Sequence, residues 1–495
     1  MSLSFELNAT TIAAALVVTL LLFVLQSSRR RQLKRSPDSP RQLHRRMSNI
    51  GLTTLVSEIE TNLSIPVSVI TVDGKVTTEE FTTRLQERMA TDPFFTRFRS
   101  LVVGEAKTFV ELPEFDAAQQ IKSHVLEPEQ SPIAFVETLV NMPMDFSKPL
   151  WEMHVLVDPA NDHVTHFAWK VHHCLGDGAS LSMAMIRLSD NKDQVDQMLQ
   201  KMREAKKAEK KPKKPLGTKA KEFAGFCVLF LWSAAVITRK LALLFLRPEP
   251  KTLFKRPGGT RKRLSYQMLY SVNATKAVGK HYKATVNDVM LNCVAGAMRK
   301  ALLEANEPIA PNLVVRAAIP VDMRGTTEEI KATANKFSSL VIDFPIGVAD
   351  TGKRLRLIQK SMNEAKNSLE KVFTYTSSHI VAQLPAWLIK HAIQFTTSRL
   401  SVAISNVRMS SMQLSLCDKP MTSFFGFVPP PPTVNLGVAV LSVGDALGLN
   451  VLVDPHVGVD AKKFLEYAKE EFDALEALSK QEIAAETKAS EKKEQ

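Results

Sequence analysis

Cysteine, tryptophan and tyrosine are scarce in this sequence of 495 residues, which contains four, four and five of them. The cysteines, Cys174, Cys227, Cys293 and Cys417, are widely spaced, and no CxxC pair or other zinc-binding spacing occurs. The sequence therefore excludes a disulfide framework and a structural zinc module as organising features. We expect reduced thiols in a protein that faces the cytosol.

The sequence also lacks an even distribution of charge. Its formal net charge of +13 comes from two basic runs. Residues 29–46 contain eight Lys and Arg against one acidic residue, and residues 201–222 contain ten against three. Because each run lies beside an apolar segment, an anionic membrane is favoured over nucleic acid as the partner. Two solvated, disordered linkers are the alternative interpretation.

Long hydrophobic runs are few. Residues 9–25 are uncharged and apolar, with Arg29, Arg30 and Arg31 shortly after them. The positive charge follows the run, which predicts an uncleaved membrane anchor rather than a signal peptide, with everything after Arg29 in the cytosol. The endoplasmic reticulum is the expected compartment. A second run, residues 223–246, is interrupted by Arg239 and Lys240, and either lies in a membrane surface, as we favour, or bridges two domains.

Alternating strand-like and helix-like segments predict an α/β protein with two domains. The expected boundaries are a transmembrane anchor at 9–25, a basic linker at 26–50, a first domain at 51–200, a basic linker with the apolar segment at 201–255, a second domain at 256–478, and a disordered charged tail at 479–495.

The most informative stretch runs from His172 to Gly178 and reads HHCLGDG. A strand-like run, residues 164–171, precedes it and a helix-like run, residues 179–188, follows it. A neutral imidazole at the end of a strand can accept a proton from a hydroxyl near neutral pH. Asp177 can fix the turn by pairing with a basic group, and Gly178 permits backbone geometry that a side chain would forbid. Cys174 is not expected to pair with His173, because adjacent residues of an extended chain point in opposite directions.

Four further segments accompany this motif along the chain. They are Pro149–Glu152 with Trp151, Thr285–Asp288 at a helix start, Pro320–Gly325 with Arg324, and Ile404–Val407 with Asn406. Together with HHxxxDG they resemble the wax ester synthase/diacylglycerol acyltransferase family of the acyltransferases that depend on coenzyme A, over about residues 50–480. Condensation domains of peptide synthetases share HHxxxDG. The chain departs from the family where Arg408-Met409-Ser410 replace Pro-Gly-Pro.

The resemblance implies two chloramphenicol-acetyltransferase-like domains, each with a mixed sheet flanked by helices, and an active-site tunnel between them. It implies acyl-CoA as co-substrate, no prosthetic group and no metal. It also implies that His173 is the general base, that His172 orients the motif or binds substrate, and that Asp177 pairs with Arg324. It implies that Asn287 donates a hydrogen bond to the oxyanion. The residues that it implies as support for the site are Gly178, Asp288, Asn406 and Trp151, and Trp151 is expected to pack in the core.

The sequence does not identify the acceptor of the acyl group. A fatty alcohol would give a wax ester and diacylglycerol would give triacylglycerol, while a sterol, a short alcohol or an amine would use the same residues. A non-catalytic lipid-binding scaffold is the remaining alternative. The oligomeric state does not follow from the sequence.

Overall fold

The computed structural model describes residues 44–104, 107–208, 216–325, 330–408 and 412–494. The described residues belong to one compact unit that begins at His44. The predicted anchor at 9–25 and most of the basic linker after it lie outside the described residues.

The strands in chain order are β1 His44–Arg46, β2 Val67–Asp73, β3 Ser100–Val103, β4 Thr108–Glu111, β5 Ile121–Val125, β6 Trp151–Val157, β7 Val164–Val171, β8 Arg263–Ser271, β9 Val315–Asp322, β10 Phe337–Phe344, β11 Val402–Arg408, β12 Ser415–Leu416, β13 Lys419–Phe427, β14 Leu436–Val443 and β15 Ala446–Val453.

The α-helices are α1 Asn49–Ser57, α2 Thr78–Thr91, α3 Pro132–Val140, α4 Gly178–Leu188, α5 Lys192–Ala208, α6 Leu216–Leu246, α7 Val272–Tyr282, α8 Val286–Glu304, α9 Thr351–Lys366, α10 Glu370–Val381, α11 Ala386–Thr397 and α12 Ala461–Glu494. Helices begin where short polar side chains bond to free backbone N–H groups. Thr77 starts α2 and Ser131 starts α3 in this way.

The structure contains two six-stranded mixed sheets, in the orders β12-β13-β2-β7-β6-β5 and β10-β9-β11-β14-β15-β8, and a small sheet β1-β4-β3. Strands β5 and β6 are parallel in the first large sheet, and β11 is parallel to β9 and β14 in the second. Each large sheet has its own apolar cluster, one around Phe81, Phe167 and Trp151 and one around Phe344, Phe464 and Leu449. The two mixed α/β sheets agree with the predicted fold class.

Strand exchange between the two halves of the chain was not predicted. Strand β13 comes late in the sequence but pairs antiparallel with β2, Met421 facing Val72 and Phe427 facing Val67. The chain then passes Pro429–Pro432 and enters the second sheet as β14. The boundaries 51–200 and 256–478 therefore do not coincide with the two sheets, because the first sheet is completed by a segment of the second half.

Residues 201–222, predicted as a basic linker, and residues 479–495, predicted as a disordered tail, are helical where the structure describes them. Much of the stretch 201–255 belongs to α5 and α6, and 479–494 continue helix α12. The many charged residues of 479–495 predict a disordered tail. Helix α12 packs on α8 before this stretch, where Phe464, Leu475 and Glu471 are buried, and the helix continues from that packed part.

Candidate active site

The histidine motif begins where strand β7 ends. The N–H of His172 donates to the Leu150 carbonyl at 2.9 Å, and the N–H of His173 donates to the Ser64 carbonyl at 2.8 Å. Both bonds hold the backbone after the strand in a fixed path. Helix α4 starts immediately afterwards, with Asp177 as its N-cap, so the sequence order of strand, turn and helix is confirmed.

His172 is fully buried and bonded on both sides of its ring. Its Nε2 lies 3.0 Å from a carboxylate oxygen of Glu58, and the backbone N–H of Cys174 donates to Nδ1 at 3.1 Å. Burial opposes a charge on the ring, but the Cys174 thiol and Glu58 favour one and raise the pKa of His172. The backbone bond requires a lone pair on Nδ1, however, and we therefore assign the neutral ring that donates its Nε2–H to Glu58. These two bonds fix the ring of His172, which is not among the described residues that line the cavity.

Asp177 connects the motif to the second half of the chain. Its Oδ1 accepts the Ser180 N–H at 3.0 Å, which caps α4. Its Oδ2 accepts the Lys336 N–H at 2.7 Å and lies 3.0 Å from Nη1 of Arg324. The Asp177 and Arg324 side chains are almost completely buried. The contact expected between Asp177 and Arg324 is present.

A second contact between the halves supports the turn itself. The side-chain amide of Asn335 donates to the carbonyl of His173 at 3.0 Å and to that of Cys174 at 3.2 Å. Ser180 adds another, since its hydroxyl donates to the Ala334 carbonyl at 2.8 Å. The position of His173 is therefore set jointly by β7 and by the segment that leads into β10.

His173 faces a large cavity of about 1260 Å³. This volume exceeds the range of about 300–1,000 Å³ that is usual for small-molecule sites, and is suited to long or paired substrates. Polar side chains from α1 and the loop after it line one wall, namely Thr53, Thr54, Ser57, Glu58, Asn62 and Ser64. Apolar side chains of α6, α10 and α11 line another, among them Ile237, Leu244, Phe373, Val381 and Ile393.

The imidazole of His173 is electrostatically suited to act as a base. Burial lowers the pKa of His173, so the ring is neutral at physiological pH. Its Nδ1 is buried without a hydrogen-bond partner among the described residues, and its ring lies 6.0 Å from that of Phe337. A neutral ring beside a cavity can accept a proton from a hydroxyl that enters it.

Asn287 is not placed as the sequence suggested. It lies in the first turn of α8 and is not among the described residues that line the cavity. Its side-chain oxygen accepts from the amide of Asn406 at 3.1 Å, and Asn406 does line the cavity. The arrangement therefore places Asn406, rather than Asn287, where it can reach a substrate.

The neighbouring Asp288 has a structural position. Its carboxylate accepts from the Thr285 N–H at 2.9 Å while the Thr285 hydroxyl accepts the Asp288 N–H at 3.2 Å, which is a capping box at the start of α8. Trp151 is equally structural, because it is buried and its indole N–H donates to the Phe98 carbonyl at 2.7 Å.

Gly178 lies at a close approach between two elements and does not have the left-handed backbone for which glycine is favoured. Its backbone is not among the described glycines with positive φ. A Cβ atom there would lie 3.3 Å from a methyl carbon of Val407, so the glycine allows α4 to approach β11 closely. Cys174 is fully buried and is not among the described residues that line the cavity, in agreement with its expected lack of a catalytic role.

Both halves of the chain match domains of one protein family. Residues 63–290 match the wax ester synthase/diacylglycerol acyltransferase catalytic domain, and residues 333–476 match the C-terminal domain of the same family. The chain belongs to the wax ester synthase/diacylglycerol acyltransferase family. The motif that follows β7 and the segment Thr285–Asp288 both lie within the catalytic match.

Individual members of the family are distant relatives. Wax ester synthase/diacylglycerol acyltransferase 5 of Arabidopsis thaliana is 27% identical over 320 residues, which cover 57% of this chain and 61% of that protein. The probable diacylglycerol O-acyltransferase tgs1 of Mycobacterium tuberculosis is 23% identical over 457 residues, which cover 87% of this chain and 96% of that protein.

Solved structures show the same fold. The wax ester synthase/diacylglycerol acyltransferase of Marinobacter aquaeolei VT8 has a TM-score of 0.59 and 18% identity, with 88% of this chain and 99% of that chain covered. Trichothecene 15-O-acetyltransferase of Fusarium sporotrichioides has a TM-score of 0.61 and 14% identity, with 89% and 97% covered. At these identities the likeness concerns the fold alone.

Sequence reasoning missed three residues of the site. Glu58, Asn335 and Ser180 bond directly to the histidine motif or to its partners. Ser180 stands two positions after Gly178, but Glu58 is separated from His172 by 114 residues and Asn335 from His173 by 162. Only Ser180 lies in a segment that the sequence singles out, the helix-like run 179–188.

Proposed function

We propose that this chain transfers a long-chain acyl group from acyl-CoA to the hydroxyl of a fatty alcohol, of diacylglycerol, or of both. The placement of His173 carries the proposal, because a neutral, partly buried imidazole faces a cavity of about 1260 Å³ within the match to the acyltransferase family. The products would be a wax ester, triacylglycerol, or both.

The mechanism follows from general acid–base chemistry. His173 accepts the proton of the acceptor hydroxyl while the oxygen attacks the thioester carbonyl, which gives a tetrahedral oxyanion. Collapse breaks the carbon–sulfur bond, and the imidazolium returns the proton to the departing thiolate of coenzyme A. The step forms one ester, releases free coenzyme A and requires neither an acyl-enzyme nor a prosthetic group.

The remaining site residues would hold this geometry. Asp177 and Arg324 fix the turn, and His172 with Glu58 fixes the start of the motif. A donor for the oxyanion is needed. Asn406 is better placed for it than Asn287, because its amide is at the cavity and Asn287 is one hydrogen bond behind it.

The sequence prediction of a membrane partner belongs to the same proposal. An acceptor with long alkyl chains resides in a membrane, and residues 9–25 are predicted to anchor the chain there with its catalytic part in the cytosol. Support within the described residues comes from α6, whose segment Gly225–Leu246 is long and apolar enough for membrane contact. The endoplasmic reticulum remains a prediction.

An acyl-transfer assay tests the proposal. Membranes that contain the protein are supplied with a labelled long-chain acyl-CoA and either hexadecanol or diacylglycerol. We expect ester and free coenzyme A in equal amounts, and a loss of about a thousandfold in His173→Ala, within the range for a general base. The control is His163→Ala in the turn between β6 and β7, whose side chain is 92% exposed.

The outcomes separate the candidates. Ester formation lost only in the His173 variant establishes the chemistry, and the ratio of the two esters gives the preferred acceptor. Release of coenzyme A with an amine but no alcohol would identify an amide-forming enzyme. Full activity in a folded His173→Ala protein would refute the assigned base.

A further inference from the structure

Helix α6 leaves most of its apolar surface uncovered. Within Gly225–Leu246, a stretch of 22 residues, only Ser233 and Val236 are buried. Leu231 is 69% exposed and Phe245 is 62% exposed. Monomeric proteins rarely leave so large a continuous apolar face in water, so this face requires a partner.

One narrow stripe of α6 is held firmly against the body of the protein. The Ser233 hydroxyl accepts the Leu369 N–H at 2.9 Å. Two turns later, Lys240 donates to the Val341 carbonyl at 2.9 Å and pairs with Glu370. These contacts cover the middle of the apolar stretch, and lipid therefore cannot surround the helix as it surrounds a membrane-spanning one.

The end of α6 is also fixed. The guanidinium of Arg316 donates to the carbonyls of Leu243 at 3.3 Å and Arg247 at 3.1 Å, which satisfies free carbonyl groups at the helix terminus. Arg316 pairs in turn with Glu249 at 3.3 Å. The exposed apolar face is thus presented by a rigid element.

Neighbouring helices extend this face. Trp387 at the start of α11 is 65% exposed, and the ring of Phe245 stacks on Phe395 of α11 at 5.2 Å. We define the portal face as the exposed apolar side chains of α6 and α11, represented by Phe230, Leu231, Trp232, Phe245 and Trp387.

The inner sides of the same helices form the wall of the active-site cavity. The helices that contribute are α6, with Ile237, Leu241 and Leu244, α10, with Phe373, Ser377 and Val381, and α11, with Ile393 and Thr396. Leu241 is itself 36% exposed and lines the cavity. The portal face and the cavity are therefore separated by a single layer of helices.

Charge indicates which lipid surface fits. The run 201–222, which leads into the apolar stretch, contains ten Lys and Arg against three Glu. Basic clusters beside an apolar helix bind membranes that carry anionic headgroups.

We propose that the portal face docks on an anionic lipid surface with α6 lying in the surface, and that the apolar acceptor passes from the lipid into the cavity between α6, α10 and α11. This inference rests on the proposed function for its substrate, but the docking itself is independent of catalysis. It gives α6 the role of a substrate entrance rather than of a membrane span.

Tryptophan fluorescence tests the docking. Of the four tryptophans, Trp232 and Trp387 are exposed on the portal face, whereas Trp151 and Trp169 are buried in the apolar cluster of the first large sheet. The full-length protein is bound to vesicles of phosphatidylcholine and phosphatidylserine whose acyl chains carry bromine at a shallow or a deep position. Trp232→Phe and Trp387→Phe variants assign the signal to each residue.

We expect shallow bromines to quench both Trp232 and Trp387, because a surface-lying helix inserts by only about 5–10 Å. Quenching of Trp232 by deep bromines, with none of Trp387, would show a spanning helix and overturn the proposal. Absence of quenching from both would show that a protein segment, such as residues 9–25, covers the face, and would overturn it as well.

Activity tests the entrance. In Phe230→Glu/Leu231→Glu, neither residue lines the cavity. We expect the rate with a vesicle-borne acceptor to fall about tenfold or more, because two large apolar side chains no longer enter the lipid. The rate with a short, water-soluble alcohol should not change. The matched control is Leu303→Glu on α8, which is 52% exposed.

An equal loss with both acceptors would contradict the entrance role. If the unaltered protein formed no ester with any acceptor, the proposed function would fail while the quenching result would still decide the docking.

Discussion

At the residue scale, the site depends on how burial acts on the two adjacent histidines. His172 is enclosed between Glu58 and the Cys174 N–H, so both of its ring nitrogens are occupied. His173 faces the cavity and has a pKa lowered by burial. The two histidines therefore differ in what they can do, because the ring of His172 is fixed by its hydrogen bonds and the ring of His173 can accept a proton.

The lowered pKa of His173 predicts the pH dependence of the reaction. A base whose pKa is below the ordinary value of about 6.5 remains unprotonated to lower pH. We expect kcat/KM to be constant between about pH 7 and 8 and to fall only as the pH drops through the lowered pKa, below about 6.5. A pH–rate profile with acyl-CoA and a soluble alcohol measures this. An acidic limb at or above the ordinary value would show that burial does not govern this group.

Glu58 is predicted to position the motif. In Glu58→Gln the side chain keeps its size and can still accept the Ser64 N–H, but the charge opposite His172 is lost. We expect kcat to fall about tenfold with KM for acyl-CoA unchanged, since a hydrogen bond to a charged group contributes about 1.5–3 kcal/mol. The acidic limb of the pH profile should stay in place, because it belongs to His173, whereas Glu58 bonds to His172.

The control for Glu58 is Glu60→Gln, two residues away and exposed. A merely structural role for Glu58 would lower the melting temperature and raise KM for acyl-CoA together with the fall in kcat, and that result would refute the positioning role.

The sequence identified the histidine motif, Asp177 and Arg324 because each belongs to a local pattern. It could not identify Glu58 or Asn335, because their roles arise from contacts made over more than a hundred residues of chain. Asn287 shows the opposite case. Its pattern is local, but its side chain bonds to Asn406 and is not among the described residues that line the cavity.

At the element scale, most strands and helices follow from local sequence, whereas their partners do not. Strand β13 is only partly buried along most of its length, and nothing in its residues indicates that β2 is its neighbour. The sequence predicts that the charged residues Arg239 and Lys240 interrupt the apolar segment that forms helix α6. The structure accommodates both, since Arg239 pairs with Glu364 and Lys240 with Glu370, so the helix continues through them.

The crossing of α8 and α12 gives a test at this scale. A Cβ atom on Gly296 would overlap the side chain of Glu471, which pairs with the fully buried Arg354. Gly296→Ala gains about 1 kcal/mol of helix propensity, but displacing Glu471 leaves a buried charge without its partner, at about 3–5 kcal/mol. We expect a net loss of about 2–4 kcal/mol in the free energy of unfolding.

Denaturant titration measures this loss. The matched control is Gly225→Ala in α6, where a Cβ atom would meet nothing within 4 Å. That variant should be neutral or stabilised by up to about 1 kcal/mol. Equal effects of the two substitutions would contradict the close approach of α8 and α12.

At the scale of the whole molecule, the two sheets depend on each other. Leu414, Leu416, Met421 and Phe427 from the second half of the chain belong to the core of the first sheet. Asn62 returns the contact, since its amide donates to the carbonyl of Val434 at 2.8 Å just before β14. The cavity that contains His173 is lined from both halves, so its shape depends on this exchange.

The exchange predicts that the first half cannot fold alone. A fragment of residues 44–208 lacks the strand that pairs with β2, so β2 becomes an open edge strand that contains the buried residues Val69 and Ile70. Open edge strands of this kind cause aggregation. The same fragment joined by a flexible linker to residues 412–428 restores β12 and β13. We expect the first fragment to aggregate and the second to be soluble and to unfold cooperatively, as judged by size-exclusion chromatography and thermal melting. Both lack the Asp177 contacts with Arg324 and Lys336, so only the exchanged strands distinguish them. A soluble, cooperative first fragment would show that the sequence-based boundary at 51–200 describes an autonomous domain after all.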